Sequence, residues 1–303
     1  MKTFAAINVG SYEQSLKIYT ITKNSGIREV DWIRNRLDLG GTFATGKLSH
    51  EVMDELCAVL RNFVSIMEGY RVDDYRACAT SAIRETKNTA IVLDQIMQRT
   101  GVKLDVLSNS EQRFLDYKSI ASRGGFEKII EKGTLVLDIG GGSIQMSLFD
   151  KDKLSATQNM RLGVLRLQEK MSRLNGRPSE NGPLLEELLE AQLSVFRKMY
   201  LKDRVIENII VVDDYISALI LGKLGKVAGS GYLDRDSMAS YMNYLQDHTD
   251  MEIVRYFDTP EENVPLLRIS SAIVRQVALM TDAKMIWAPG VSLCDGMVYE
   301  YAE

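Results

Sequence analysis

Residues that commonly bind metal ions or form disulfides are scarce in this chain. Its 303 residues include only three cysteines and two histidines, so a zinc site built from clustered Cys and His ligands is not expected. Cys57, Cys78 and Cys294 are far apart in apolar surroundings, which favours buried thiols over disulfides or metal ligands. His50 and His248 are isolated as well.

Long apolar runs and an excess of positive charge are also missing. No stretch approaches the roughly 18 apolar residues of a membrane span, and the Met1–Gly10 segment lacks the apolar core of a signal peptide. A net charge of −4 argues against a general surface for nucleic acid or another polyanion. We therefore expect a globular, cytoplasmic protein that binds neither a membrane nor a nucleic-acid duplex. A homodimer is left open.

The segment VLDIGGGSIQ (Val136–Gln145) is an apolar, β-prone strand that runs straight into three consecutive glycines. Without Cβ atoms, such a loop can direct several backbone N–H groups at one phosphate. Asp138, the acid on the strand, suits a magnesium ion or a water bound to it. A tight hairpin before a second strand explains the same glycines equally well. The predicted phosphate contacts of this loop are Gly140, Gly141, Gly142 and Ser143.

A second segment at the N-terminus repeats this pattern. Phe4–Ser11 is again an apolar strand, with Asn8 two positions before Gly10 and with the hydroxyl of Ser11 directly after it. An apolar strand at Leu16–Ile21 follows. The repetition predicts two similar halves whose turns, with phosphate contacts at Gly10 and Ser11, face one another across a cleft.

A third segment points to a family. ACATSAIRETKN (Ala77–Asn88) closely resembles the ATSAvRea-N signature of the exopolyphosphatase/guanosine pentaphosphate phosphatase (Ppx/GppA) family, and other matches follow in family order. They are Arg36–Leu37 before Gly40, then Thr45–Ser49, Arg161–Leu167 and Leu293–Met297. The resemblance covers essentially the whole chain.

The resemblance implies an α/β fold with two ribonuclease-H-like domains of the actin-like ATPase type, flanking a phosphate-binding cleft. It also implies hydrolysis of terminal phosphoanhydrides in polyphosphate or in guanosine pentaphosphate (pppGpp). The glycines after Arg123 suggest a hinge, so we predict an N-terminal domain over residues 1–124 and a C-terminal domain over residues 125–303. Asn208–Val212 is expected to be the last buried strand.

Three acids of the family pattern are amides in this chain. The acid of the first strand is replaced by Asn8, the general base by Gln112, and the acid that ends the motif D-I-G-G-G-S-T-E by Gln145. Of the four acidic positions, only Asp138 keeps its charge. An amide cannot accept a proton near neutral pH and contributes no negative charge to a metal site. We therefore expect slow or absent hydrolysis and weak Mg²⁺ binding.

The third phosphate loop of the family, similar to v-G-t-G-G-T, is also altered. After the strand that ends near Val212 this chain has Asp213 and Asp214 instead of glycines. Acids at a helix start cap the helix and complement its dipole, and we favour this reading over a new catalytic role. Arg84 is retained and could clamp phosphate with two hydrogen bonds, although an interdomain ion pair is the alternative.

Two classes of function remain open. An active phosphatase would need Glu111, next to Gln112, as a substitute base, which requires a shifted register because adjacent helical residues point about 100° apart. A catalytically silent relative would use the same two-domain clamp to bind a phosphate ligand, a nucleotide or a protein partner. The combined loss of three acids and one glycine loop favours the second class.

Overall fold

The computed structural model describes residues 1–23, 26–173, 178–220, 231–281 and 283–303. The chain divides into two compact units, one formed by residues 1–122 together with 292–303 and the other by residues 123–291. None of the helices in these described ranges has the length and apolar character needed to cross a membrane.

The first unit contains a five-stranded sheet. Its strands are β1 Lys2–Val9, β2 Glu13–Thr22, β3 Gly26–Arg36, β4 Asp74–Ala79 and β5 Leu104–Val106. The order across the sheet is β3-β2-β1-β4-β5. The pairs β1–β2 and β2–β3 are antiparallel, and β4 and β5 run parallel to β1. This order is that of a ribonuclease-H-like domain, as predicted.

Both faces of this sheet are covered, which explains why β1 is apolar without alternation. Ala5, Ile7 and Val9 enter one hydrophobic core, whereas Phe4 and Ala6 enter a second core on the opposite face. The helices that accompany the sheet are α1 Gly41–Thr45, α2 His50–Gly69, α3 Ser81–Arg84, α4 Thr89–Thr100 and α5 Asn109–Ala121.

The C-terminal helix, Leu293–Ala302, packs with this first unit on α5 and β1. Lys17 on β2 is only 2% exposed, and its Nζ lies 2.9 Å from Asp295 Oδ2 on the helix. Burial alone would raise the pKa of Asp295, but Lys17 brings it below its ordinary value. A Cβ on Gly296 would lie 2.2 Å from the Leu115 carbonyl oxygen, so this glycine permits the close approach of the helix to α5.

The predicted domain range 125–303 therefore differs from the observed division at its end. The boundary near residue 124 lies beside the observed one, but residues 292–303 pack with the first unit. The difference has a physical cause, because the partner of Asp295 is a buried lysine on the second strand of the chain.

The second unit contains a six-stranded sheet in the order β10-β11-β9-β6-β7-β8. Its strands are β6 Thr134–Ile139, β7 Ile144–Asp150, β8 Lys153–Met160, β9 Asn208–Val212, β10 Tyr232–Asp234 and β11 Met285–Trp287. An antiparallel β6-β7-β8 meander is followed by β9 parallel to β6 and β11 parallel to β9. The ribonuclease-H-like order thus recurs, with β10 added antiparallel at the edge. The expectation that β9 is the last strand was wrong.

The described part of the second unit contains seven α-helices, the last of which has many buried side chains. They are α6 Phe126–Ile130, α7 Val164–Arg173, α8 Pro178–Phe196, α9 Asp214–Leu219, α10 Arg235–Asp247, α11 Asp250–Phe257 and α12 Val264–Leu279. A π-helical turn, Arg197–Leu201, extends α8.

Candidate functional site

The turn between β1 and β2 requires a glycine at its first position. The Gly10 N–H donates to the Glu13 carbonyl at 3.0 Å, and a Cβ on Gly10 would lie 2.7 Å from that oxygen. The next residue, Ser11, is buried, and its Oγ lies 2.9 Å from the Oγ of Ser81 at the start of α3. The predicted phosphate-binding hydroxyl is therefore engaged with the family segment that contains Ser81.

Asn8 stands on β1 two residues before this turn. Its Oδ1 is buried and makes no hydrogen bond within the described structure. A buried amide oxygen without a donor is costly, so this position is suited to receive a donor or a cation. The amide oxygen carries no formal charge, which makes it a weaker cation ligand than a carboxylate.

Arg84 and Gln112, two predicted site residues, are in contact. Arg84 Nη1 donates to the Leu107 carbonyl at 2.7 Å and to Gln112 Oε1 at 3.3 Å. Gln112 lies on α5 and is 7% exposed. The predicted general-base position is thus a buried neutral amide whose oxygen faces a guanidinium.

Glu111 has a separate local role. It is the third residue of α5 and forms a capping box with Ser108, because the Ser108 N–H donates to Glu111 Oε2 at 2.8 Å and the Glu111 N–H donates to Ser108 Oγ at 3.2 Å. Hydrogen bonds from Ser108, led by its side chain, lower the pKa of Glu111. A capped carboxylate with a lowered pKa is a poor proton acceptor.

The glycine loop of the second unit, Gly140–Ser143, is held from one side by the start of α7. The Gly140 N–H donates to the Ser143 carbonyl at 2.9 Å and closes the turn. The three glycine carbonyls accept hydrogen bonds from Val164 N–H at 3.0 Å, Leu165 N–H at 3.0 Å and Arg166 Nε at 2.7 Å. A trans peptide points its carbonyl and the following N–H in opposite directions, so the N–H groups of residues 141–143 point away from α7.

Gly163 makes this loop arrangement possible, although the sequence did not identify it as a site residue. A Cβ at Gly163 would lie 2.3 Å from both the Gly141 carbonyl oxygen and the Ser143 nitrogen. Both neighbours are backbone atoms, which cannot move without displacing the loop. The signal that could have found it is its place in the family match Arg161–Leu167, directly before a helix.

Asp138 and Gln145 are directly opposite each other on β6 and β7. Gln145 is 1% exposed, and its Nε2 donates to Asp138 Oδ2 at 3.2 Å. Among the described residues, no group of three or more His, Cys, Asp or Glu side chains could hold a metal ion. The residues present therefore do not make up an acidic magnesium site, and Mg²⁺ binding stays a prediction.

Asp213 caps α9 from the end of β9. Its Oδ1 accepts from the Ile216 N–H at 2.6 Å and its Oδ2 from Ser270 Oγ at 2.9 Å. Burial raises the pKa of Asp213 to about 7. Asp214, at the first helical position, is exposed. The capping interpretation accounts for Asp213, whose carboxylate is directed into the protein.

The fold and these loops define a class of α/β proteins in which two ribonuclease-H-like units each place a glycine turn after their first strand. A profile of the Ppx/GppA phosphatase family matches residues 23–301. The chain belongs to this family.

Similar proteins agree with this assignment. Exopolyphosphatase 1 of Mycobacterium leprae is 30% identical over 127 residues, which cover 42% of this chain and 36% of that protein. A guanosine-5'-triphosphate,3'-diphosphate pyrophosphatase of Photobacterium profundum is 26% identical over 54% of this chain and 32% of its own length. The matched segments thus span about a third of these curated relatives.

Solved structures show the same fold over nearly the whole chain. An exopolyphosphatase from Cytophaga hutchinsonii superposes with a TM-score of 0.85 at 18% identity, covering 99% of this chain and 98% of its own. The Ppx/GppA family member of Aquifex aeolicus gives a TM-score of 0.80 at 19% identity, covering 99% and 97%.

Proposed function

We propose that this protein uses the Ppx/GppA scaffold to bind a phosphate-chain ligand and hydrolyses terminal phosphoanhydrides very slowly or not at all. Polyphosphate and pppGpp are the candidate ligands. The observation that carries the proposal is the buried amide of Gln112 at the general-base position, hydrogen-bonded to Arg84. The cytoplasmic location of the protein and its status as a pseudoenzyme stay predictions.

The loss of the base is the main argument against rapid turnover. A general base contributes roughly 10²–10⁴ to the rate of such a reaction, and the Gln112 amide cannot take a proton from water. Glu111 is a poor replacement, since its carboxylate caps α5 and its pKa is lowered.

The metal side of the site is weakened in a related way. Asp138 accepts a hydrogen bond from the Gln145 amide at 3.2 Å, where the family has a second acid. This amide satisfies one carboxylate oxygen and adds no negative charge. The described residues do not supply the acidic ligand set that Mg²⁺ prefers.

Retained ligand binding is supported by the glycine loop of the second unit. The contacts from Val164, Leu165 and Arg166 orient the N–H groups of residues 141–143 away from α7, and adjacent N–H groups of this kind form anion-binding concavities. The alternative function is that of a non-catalytic relative, which binds phosphate or a nucleotide or presents the same clamp to a protein partner. These contacts favour that alternative over a function unrelated to the family.

The test measures release of inorganic phosphate from polyphosphate and from pppGpp with magnesium. We expect the unmodified protein to be near background and Gln112→Glu alone to recover little. Asn8→Asp, Gln112→Glu and Gln145→Glu together should recover more than the single changes combined, because residues that act as a unit are non-additive.

Two further measurements make the result decisive. Calorimetric titration with tripolyphosphate should detect binding even where turnover is absent, which separates a silent binder from a misfolded chain. Rapid magnesium-dependent turnover by the unmodified protein, abolished by Glu111→Gln, would falsify the proposal and identify Glu111 as the base.

A further inference from the structure

Helix α8 has an apolar stripe on its exposed side. We call Leu184, Leu188, Ala191, Val195 and Met199 the outer stripe; Leu184 is 40% exposed, Val195 49% and Met199, in the π-helical turn, 63%. At about 100° per residue, the first four fall within a sector of roughly 60°. A continuous stripe of this kind is distinct from singly scattered surface apolar residues, which need no explanation.

The outer stripe is not required for the core of its own unit. A different face of α8, with the buried Leu185, Leu189, Leu193 and Phe196, packs toward α12 and α7. The two faces are centred roughly 120° apart around the helix. The helix therefore has one apolar face that builds the fold and a second one that the fold does not use.

The spacing of the outer stripe is suited to another helix. Its first four members are separated by four, three and four residues, which is the a/d repeat through which helices pack knobs into holes. The small Ala191 lies at the centre, where two helices approach most closely.

The charges along α8 indicate which helix fits. The exposed acids Glu187 and Glu190 lie beside the first half of the outer stripe, and the exposed bases Arg197 and Lys198 lie beside its end, in the π turn. Two copies side by side in parallel would place like charges together. In an antiparallel pair, the acidic half of each copy meets the basic half of the other, so the surface is complementary to itself.

We propose that the outer stripe is the interface of a symmetric dimer in which two copies of α8 pack antiparallel. Leu188 then packs against the partner's Val195, and Ala191 lies near the two-fold axis, as in an isologous interface. Glu187 lies within roughly 3 Å along the axis of the partner's Lys198, given 1.5 Å of rise per residue. Both residues flank the same side of the stripe, so two symmetric ion pairs form. This proposal is independent of the proposed function.

Sedimentation equilibrium and light scattering test the assembly. The unmodified chain of 34.1 kDa should show concentration-dependent dimers, and Val195→Glu should weaken dimerisation at least about tenfold because it buries an unpaired charge. The matched control is Ile91→Glu on α4, since Ile91 is 63% exposed and lies outside the stripe; it should leave the dimer unchanged. A monomeric unmodified protein, or equal weakening by both variants, overturns the proposal.

Charge reversal and cross-linking test the orientation. Glu187→Lys and Lys198→Glu should each weaken the dimer, and the double variant should restore it; failure of the restoration overturns the antiparallel register. Ala191→Cys should form an intersubunit disulfide, because residue 191 lies near the two-fold axis. The native thiols are all buried and should not compete. Leu184→Cys alone should not, since the two copies of residue 184 lie roughly 22 Å apart in this register. Self-cross-linking through Leu184→Cys would instead establish a parallel pair.

Discussion

Asp213 provides the most quantitative prediction because its environment reverses the usual pH dependence of an aspartate. It is 5% exposed, and burial raises its pKa from 3.8 to about 7. A group whose pKa is raised in the folded protein stabilises the fold fully below its unfolded pKa. That contribution is lost as the pH rises through the folded value. Ionisation of Asp213 therefore lowers the free energy of unfolding progressively between about pH 4 and pH 7, and the loss is complete above pH 7.

The expected size follows from the shift. A difference of roughly three pKa units corresponds to about 4 kcal/mol at 1.36 kcal/mol per unit. Asp213→Asn keeps the helix cap, since Asn and Asp are equivalent N-caps, and its amide can donate to Ser270 Oγ. The variant should match the unmodified protein near pH 4 and exceed its stability by a few kcal/mol near pH 8.

The assay is urea unfolding followed through Trp287 fluorescence in a Trp32→Phe background, because the chain has only these two tryptophans and Trp287 lies in the second unit. Asp234 is the matched control. It caps α10 in the same way but is exposed, and hydrogen bonds from Ser237 lower its pKa. Asp234→Asn should lose stability relative to the unmodified protein above about pH 4. A difference between Asp213→Asn and the unmodified protein that stays constant with pH would refute the reasoning.

Three other perturbations have defined outcomes. Asp295→Asn should destabilise the first unit by about 3 kcal/mol, because it leaves the buried Lys17 with one carboxylate partner fewer; Trp32 fluorescence in a Trp287→Phe background measures it. Gly163→Ala should cost about 1–3 kcal/mol through the backbone overlap with the glycine loop and should weaken tripolyphosphate binding in calorimetry. Gln145→Glu should place a second carboxylate opposite Asp138, so thermal unfolding should show stabilisation by Mg²⁺ that exceeds that of the unmodified protein.

Each of these has a control or an opposing result. Asp54→Asn removes an exposed ion pair of the first unit and should change stability by less than about 1 kcal/mol. If Asp54→Asn and Asp295→Asn destabilised the protein equally, burial of the Lys17–Asp295 pair would not matter for stability. Gly69→Ala introduces a Cβ with no atom within 4 Å and should be neutral or stabilising. Identical Mg²⁺ responses of Gln145→Glu and the unmodified protein would contradict the two-carboxylate argument.

Local patterns were sufficient for much of the fold. The apolar strands before Gly10 and Gly140, with their following strands, predicted the hairpin that begins each sheet, because β-propensity and glycine turns act over a few residues. The acidic cap of α9 could also be predicted, since a cap involves residues three positions apart.

Contacts between distant residues could not be predicted in this way. Nothing near Asp295 in the sequence specifies its pairing with Lys17, which lies 278 residues away. This ion pair links the C-terminal helix to β2 of the first unit. The short strand β11 is identified by its pairing with β9 and β10 rather than by its own three residues.

The sequence by itself determined the family and the two glycine turns, and it predicts that Asn8, Gln112 and Gln145 replace three family acids, because these are properties of residue identity and short-range spacing. Only the tertiary structure decided what surrounds them: the contact of Gln112 with Arg84, the amide of Gln145 on Asp138 and the need for Gly163 against the loop. Those interactions arise where separate strands and helices meet in space, and a hydrogen bond or a steric overlap exists only at that final geometry.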